Sequence, residues 1–133
     1  MLALQECEGR EALVELADKF EFAGSAEAHE TRGFVHLYVR HGLVSSAVTL
    51  DVAGPVVAVR VRCAEASDDT ELVLAAVHLP SGDRSGKRGE IMRQLMQELG
   101  DDSVCIVGDL NIKDEELGTL CKDCLLYTSD AAD

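Results

Sequence analysis

Basic residues are scarce in this chain: 12 lysines and arginines stand against 25 aspartates and glutamates, a formal net charge of −13 with a pI near 4.5. Non-specific affinity for nucleic acid comes from cations that neutralise phosphates and release counterions. The balance therefore argues against tight sequence-independent DNA binding, and leaves room for a small phosphoester or a strand end held by a few contacts. Long apolar runs are lacking too. The longest weakly polar stretch, residues 42–61, contains Asp51, Gly54, Pro55 and Arg60, so it reads as two strands and a turn, not a membrane span. Cys7, Cys63, Cys105 and Cys121 show no metal-ligand spacing, and Cys124 lies in an atypical tail. Reduced thiols beside strand-like segments, with no stretch that reads as a signal sequence, predict an intracellular compartment, nuclear or cytoplasmic. Internal repeats and low-complexity tracts are absent.

What is present is enough for a core. At 133 residues and 47% hydrophobic content, one domain is the natural expectation. Leu13, Leu16, Ala17 and Phe20 share one helical face and predict a helix over residues 9–20. Residues 21–32, polar and carrying Gly24 and Ser25, predict a loop. Strands are expected over 34–39, 44–50 and 56–62, the last with Val57, Val59 and Val61 on a buried face and Ala58, Arg60 and Arg62 on a wet one. Residues 64–70 read as an acidic turn and 80–89 as a basic loop. Ile91, Leu95 and Leu99 mark an amphipathic helix over 90–99, ended by Gly100 as a left-handed cap. A short helix with acids at its start is expected over 114–120.

The most informative stretch is 104–111. Residues 104–107 predict a buried central strand delivering Gly108-Asp109-Leu110-Asn111, in which alternation would bring Asp109 and Asn111 to one side and Leu110 to the other. A carboxylate and a carboxamide converging in this way suit a hydrated phosphate. Two other strand ends carry polar groups: Leu4-Gln5-Glu6 puts Glu6 at a strand-to-helix junction, and the apolar run 72–77, suited to a strand covered on both faces, ends at His78. Each alone is weak. A Glu after an apolar run is usually a solvated turn residue, Gly-Asp-x-Asn favours turns, and a strand-end histidine is more often a hydrogen-bonded structural group. Their order and shared placement carry the reading. His29, His36 and His41 have no ligand spacing and read as structural or surface.

Taken in order, Leu4-Gln5-Glu6, His78-Leu79 and Gly108-Asp109-Leu110-Asn111 resemble the endonuclease/exonuclease/phosphatase superfamily, the metal-dependent phosphoesterases that include the deoxyribonuclease I-like enzymes. The likeness covers residues 1–121. Finer features are similar to the 5′-tyrosyl-DNA phosphodiesterase branch: Glu71-Leu72-Val73-Leu74 leading into His78-Leu79-Pro80-Ser81, Arg88 followed by Gln94-Leu95, and Asn111-Ile112-Lys113-Asp114-Glu115-Glu116-Leu117. The resemblance implies an α/β (α+β) architecture of two packed mixed β-sheets flanked by helices. It would be a partial four-layer sandwich lacking its first and last strands, with the active site at one edge. It also implies a Mg2+-dependent phosphodiesterase acting on nucleic acid ends, with Mn2+ as the substitute ion. In that scheme Glu6 ligates the metal, Asp109 orients or deprotonates the attacking water, and Asn111 holds the phosphate through its amide. His78 donates to a phosphate oxygen or the leaving group, and Arg88, in the basic segment with Arg84 and Lys87, contacts substrate phosphate.

Two readings compete. One keeps the metal site and changes the substrate to a phosphoinositide, a sphingomyelin-like headgroup or another small phosphoester, which the acidity favours. The other is a non-catalytic binding or scaffold domain, against which Glu6, Asp109 and Asn111 all standing in place argue. Residues 1–123 are expected to be a central fragment of the family domain, with an Asn-bearing strand before Met1 and a Ser-Asp-His segment after Asn111 implied by the resemblance. On that expectation the chain alone has little or no activity. Residues 124–133 are similar to a translated transposase sequencing adapter and are set aside from fold reasoning.

Overall fold

The computed structural model describes residues 1–7, 17–28, 33–63 and 71–112. In chain order these form β1 (Leu2–Cys7), β2 (Phe20–Ala28), β3 (Gly33–Arg40), β4 (Leu43–Val48), β5 (Val56–Cys63), β6 (Leu72–His78), α1 (Ser85–Leu99) and β7 (Val104–Asp109). One sheet has the order β1-β3-β2 and the other β4-β5-β6-β7. The first is antiparallel throughout. Only the second is mixed, because β6 and β7 pair parallel, Val77 opposite Gly108 and His78 opposite Asp109. Parallel neighbours need a crossover connection, and α1 supplies it.

Alternation along β6 sets the layers. Val73, Ala75 and Val77 pack beneath Ile91, Met92, Leu95 and Leu99 of α1. Leu74 and Ala76 face the opposite way, against Val35, Leu37 and Val39 of β3 and Val59 and Val61 of β5. The described residues thus stack as helix, sheet, sheet, and β6 is the strand covered on both faces that its unbroken apolar run predicts. The buried positions of α1, Arg88, Ile91, Met92, Leu95 and Leu99, recur every three or four residues and make one stripe. Leu95 is fully buried. Leu95→Ala is expected to lower the free energy of unfolding by about 2–5 kcal/mol, the cost of a core cavity. Urea denaturation reads this directly, and an unchanged midpoint would mean that α1 does not seal this face.

Several expectations need correction. Residues 17–19 are a turn and Phe20 opens β2, so the predicted helix does not reach Phe20. The predicted loop 21–32 is largely strand, since β2 runs to Ala28. Helix α1 starts at Ser85, five residues before the expected Glu90, so the basic segment is half helix. On β5, Ala58 is 3% exposed beneath α1, so the face expected to be wet is partly roofed. Its Arg60 is half-buried and donates two hydrogen bonds to Asp102 at 3.0 and 2.6 Å. Those bonds hold the Asp102 carboxyl below the usual carboxylate range. Among the described residues β7 is an edge strand of intermediate burial, not a central one. Gly100 has the positive φ expected of a cap, but its ψ of −124° lies outside the left-handed helical basin, in a region open essentially to glycine. Its N–H still closes the helix on Met96 O at 3.0 Å.

The core of the predicted first helix, the acidic turn 64–70, the helix 114–120, the tail 124–133 and His29 lie outside the described residues. Among the described residues, no helix is long and apolar enough to cross a membrane.

Candidate active site

β1, β2, β6 and β7 all run toward one edge of the sandwich, and a cavity of about 600 Å3 opens there. Glu6, His78, Asp109 and Asn111 line it. The cavity therefore gathers residues from both sheets, with β1 lying against β7.

Glu6 reaches the cavity through an irregular backbone. Its φ is +56°, and the β1–β3 register shifts between Leu4 and Cys7. A bulge at a sheet edge re-aims the side chain that it carries. A non-glycine residue held at positive φ costs on the order of 1 kcal/mol or more and persists only where the surroundings impose it. Gly33 makes room for it, since a Cβ there would sit 2.8 Å from Glu6 Cα. The carboxylate is 65% exposed, with Oε1 at 3.9 Å from His78 Nε2.

His78 is 6% exposed at the end of β6. Its backbone is fixed by its N–H bond to Pro55 O at 3.1 Å. Its Nδ1 is buried with no hydrogen-bond partner among the described residues, and the residue lines the cavity. A buried ring nitrogen without a hydrogen bond costs stability, and both ring nitrogens of His36 are buried in the same way.

Asp109 and Asn111 converge on the cavity by a different route from the one expected. The strand ends at Asp109, so strand alternation does not place Asn111. Instead Asp109 Oδ1 accepts the Asn111 N–H at 3.0 Å, an Asx turn that carries Asn111 to φ +47°. Asn111 Nδ2 donates to Leu79 O at 2.8 Å. Because that acceptor is a carbonyl, the amide orientation is set, and Oδ1 lies on the opposite side. Leu110 turns to the helix-side core as expected. Leu79 N–H donates to Asp109 O at 2.8 Å, tying the two strand ends together.

Arg88 does not fill the role expected of it. It is 1% exposed, does not line the cavity, and its Nη1 donates to Pro80 O at 2.9 Å and Gly82 O at 2.8 Å. Its neighbours Arg84 and Lys87 do line the cavity. Sequence reasoning missed Glu27, on the cavity wall, and the wall formed by residues 52–55. That wall is held by Gln94 Oε1, which accepts the Ala53 N–H at 3.1 Å, and by Ile91 packed on Gly54. His36 is buried in a ring cluster with Phe22, Phe34 and Tyr38, and His41 Nε2 lies 2.9 Å from Ala17 O, so both are structural.

No protein-family model matches the sequence, and no curated protein matches it. Solved structures do. The chain superposes on D. rerio TDP2, crystallised with a single-strand DNA product, with a TM-score of 0.65 at 20% identity, covering 89% of this chain and 50% of that one. Truncated Caenorhabditis elegans TDP2 gives 0.64 at 17% identity, covering 86% and 50%. The human Nocturnin catalytic domain, with a bound sulfate anion, gives 0.65 at 17% identity, covering 90% and 55%. This is the endonuclease/exonuclease/phosphatase fold. The chain spans about half the length of the solved structures that it matches. That fold accounts for the two packed sheets and for the common edge at which the four residues meet.

The oxygen donors on the cavity are the carboxylates of Glu6, Glu27 and Asp109 and the Asn111 amide, with the His78 imidazole beside them; such oxygens are the hard set that Mg2+ prefers. Among the described residues no three His, Cys, Asp or Glu side chains gather closely enough to hold an ion by themselves. Dispersed oxygen donors suit Mg2+, which keeps several waters and shares substrate oxygens, and do not suit a closed zinc centre.

Proposed function

We propose that the protein is a Mg2+-dependent phosphodiesterase acting on nucleic acid ends, by in-line attack of water on the phosphorus. The observation that carries this is Glu6, His78, Asp109 and Asn111 meeting on one cavity at the strand ends, in the fold shared with TDP2 and Nocturnin. One of those structures holds a single-strand DNA product and another a sulfate anion.

Glu6, exposed at the rim, would hold Mg2+, with Mn2+ as a substitute. When bound, the ion supplies charge neutralisation at the phosphate and favours the leaving oxygen. Asp109 has one oxygen committed to the Asn111 N–H, which leaves the other to orient water and take its proton. Asn111 has one amide hydrogen on Leu79 O and offers its second to a phosphate oxygen. His78 presents its ring beside the same space and donates to a non-bridging or leaving oxygen when protonated. Arg84 and Lys87 also line the cavity. Residues 52–55 and Ile91 form the apolar part of the wall, against which the leaving group packs.

The test is turnover of bis(p-nitrophenyl) phosphate and of a 5′-tyrosyl oligonucleotide by the protein expressed from its complete reading frame, with Mg2+ and with EDTA. Turnover unaffected by EDTA sinks the metal role. The net charge of −13 favours a second substrate class, small phosphoesters such as phosphoinositides, and faster turnover of these than of the oligonucleotide would select it. Glu6→Gln removes one charged ligand and is expected to weaken Mn2+ binding, followed by electron paramagnetic resonance, by at least about tenfold. Undiminished binding would move the ion to other residues.

A further inference from the structure

Arg88 is sealed between α1 and the loop that follows β6, 1% exposed. A buried guanidinium must be satisfied by acceptors, and two of those that Arg88 Nη1 reaches are backbone carbonyls of the cavity loop, Pro80 O at 2.9 Å and Gly82 O at 2.8 Å. Pro80, Ser81 and Arg84 of that loop line the cavity. A peptide carbonyl carries its negative end wherever it points, and one aimed at a phosphate repels it. The loop is bent so that two of its carbonyls point at Arg88, helped by Gly82 at φ +73°. Gly82 O is taken a second time, by the Arg84 N–H at 3.0 Å. Other carbonyls around the rim are likewise engaged: Pro55 O by the His78 N–H, Asp109 O by the Leu79 N–H, and Leu79 O by Asn111 Nδ2.

Resting on the phosphodiesterase reading, we propose that Arg88 is a positioning residue: by drawing the carbonyls of Pro80 and Gly82 inward, it makes this wall receptive to a phosphate that it never touches. In a chain of net charge −13, clearing negative dipoles from the site matters as much as adding cations. Arg88 has the shape for the task, because a guanidinium fork serves several acceptors at fixed angles where an ammonium is a single point charge.

The experiment compares the protein from its complete reading frame with Arg88→Met and Arg88→Lys. Inorganic phosphate binding is measured by calorimetry, and kcat and KM on bis(p-nitrophenyl) phosphate with Mg2+. Arg88→Met is expected to raise the phosphate Kd and KM about ten- to a hundredfold, the equivalent of one or two charge-assisted contacts, with kcat changed less. Arg88→Lys is expected to fall between. A purely structural role would lower the melting temperature and leave the Kd of the folded protein alone. Folded Arg88→Met with wild-type phosphate affinity overturns the proposal, as does a wild-type protein that binds no phosphate. If Arg88→Met does not fold, wild-type Kd and KM in Arg88→Lys overturn it. The two claims fail separately: a wild-type protein that binds phosphate but turns over no phosphodiester with Mg2+ defeats the phosphodiesterase reading, whereas the phosphate Kd of the Arg88 variants judges the loop.

Discussion

Asp109→Asn is expected to lower kcat for phosphodiester hydrolysis by about 10²- to 10⁴-fold, the range for removing a general base, while KM moves little. Asparagine keeps an oxygen that can accept the Asn111 N–H, now 3.0 Å from Asp109 Oδ1. The Asx turn and the placement of Asn111 are therefore retained. What is lost is the negative charge that orients and deprotonates water, an interaction that grows toward the transition state, so the loss falls on kcat. Steady-state kinetics with a melting curve on the same sample decides it. A variant that keeps more than about a tenth of wild-type kcat would show that Asp109 is not the base.

Gly108→Ala is expected to abolish turnover and to cost several kcal/mol of stability, on the order of 4 kcal/mol. Gly108 has φ +136°, and a Cβ there would fall on the carbonyl oxygen of Val77, its parallel partner across the ladder. Backbone cannot step aside as a flexible side chain does, so β7 would have to separate from β6. The next residue is Asp109, whose carbonyl receives the Leu79 N–H at 2.8 Å, and separation would carry the carboxylate away from His78. Chemical denaturation and turnover on one preparation read both effects. A variant with an unshifted denaturation midpoint would mean that the two strands are not so closely paired at this point.

The sequence made the cavity's residues visible through their company: three short motifs, each ordinary alone, all at the ends of apolar strands. The strand edges were legible for β3 to β7 because β-branched runs and period-two alternation are local signals. Where the reading failed, a long-range contact was the reason. Gly24 signals a loop locally, yet it lies in β2, where a Cβ would sit 2.7 Å from Val57 Cγ2 of the facing sheet, and a bulge accompanies it between Phe22 and Gly24. The bulge switches faces, so that Phe20 and Phe22 share theirs with Ser25 and Glu27 while Gly24 and Ala26 lie on the other; that break in period hid the strand, and with it Glu27 at the cavity. Gly86 and Gly89 hid the first turns of α1 in the same way, their low helix propensity overridden by burial of the stripe that Arg88 begins. Arg88 was singled out by the branch resemblance, whereas burial, invisible in one sequence, sets it behind the cavity wall with its Nη1 on backbone carbonyls.

Glu6 rides on one sheet while His78 and Asp109 ride on the other, and they come from opposite ends of the described chain. During folding these pieces meet only when the most distant contacts close, the step that topology makes slow. Until then Glu6 is held apart from His78 and Asp109, and the site is incomplete. Assembly of the cavity is thus a late reporter of the finished sandwich, and in a nascent chain its four residues would meet only once β7, the last of the described strands, has docked.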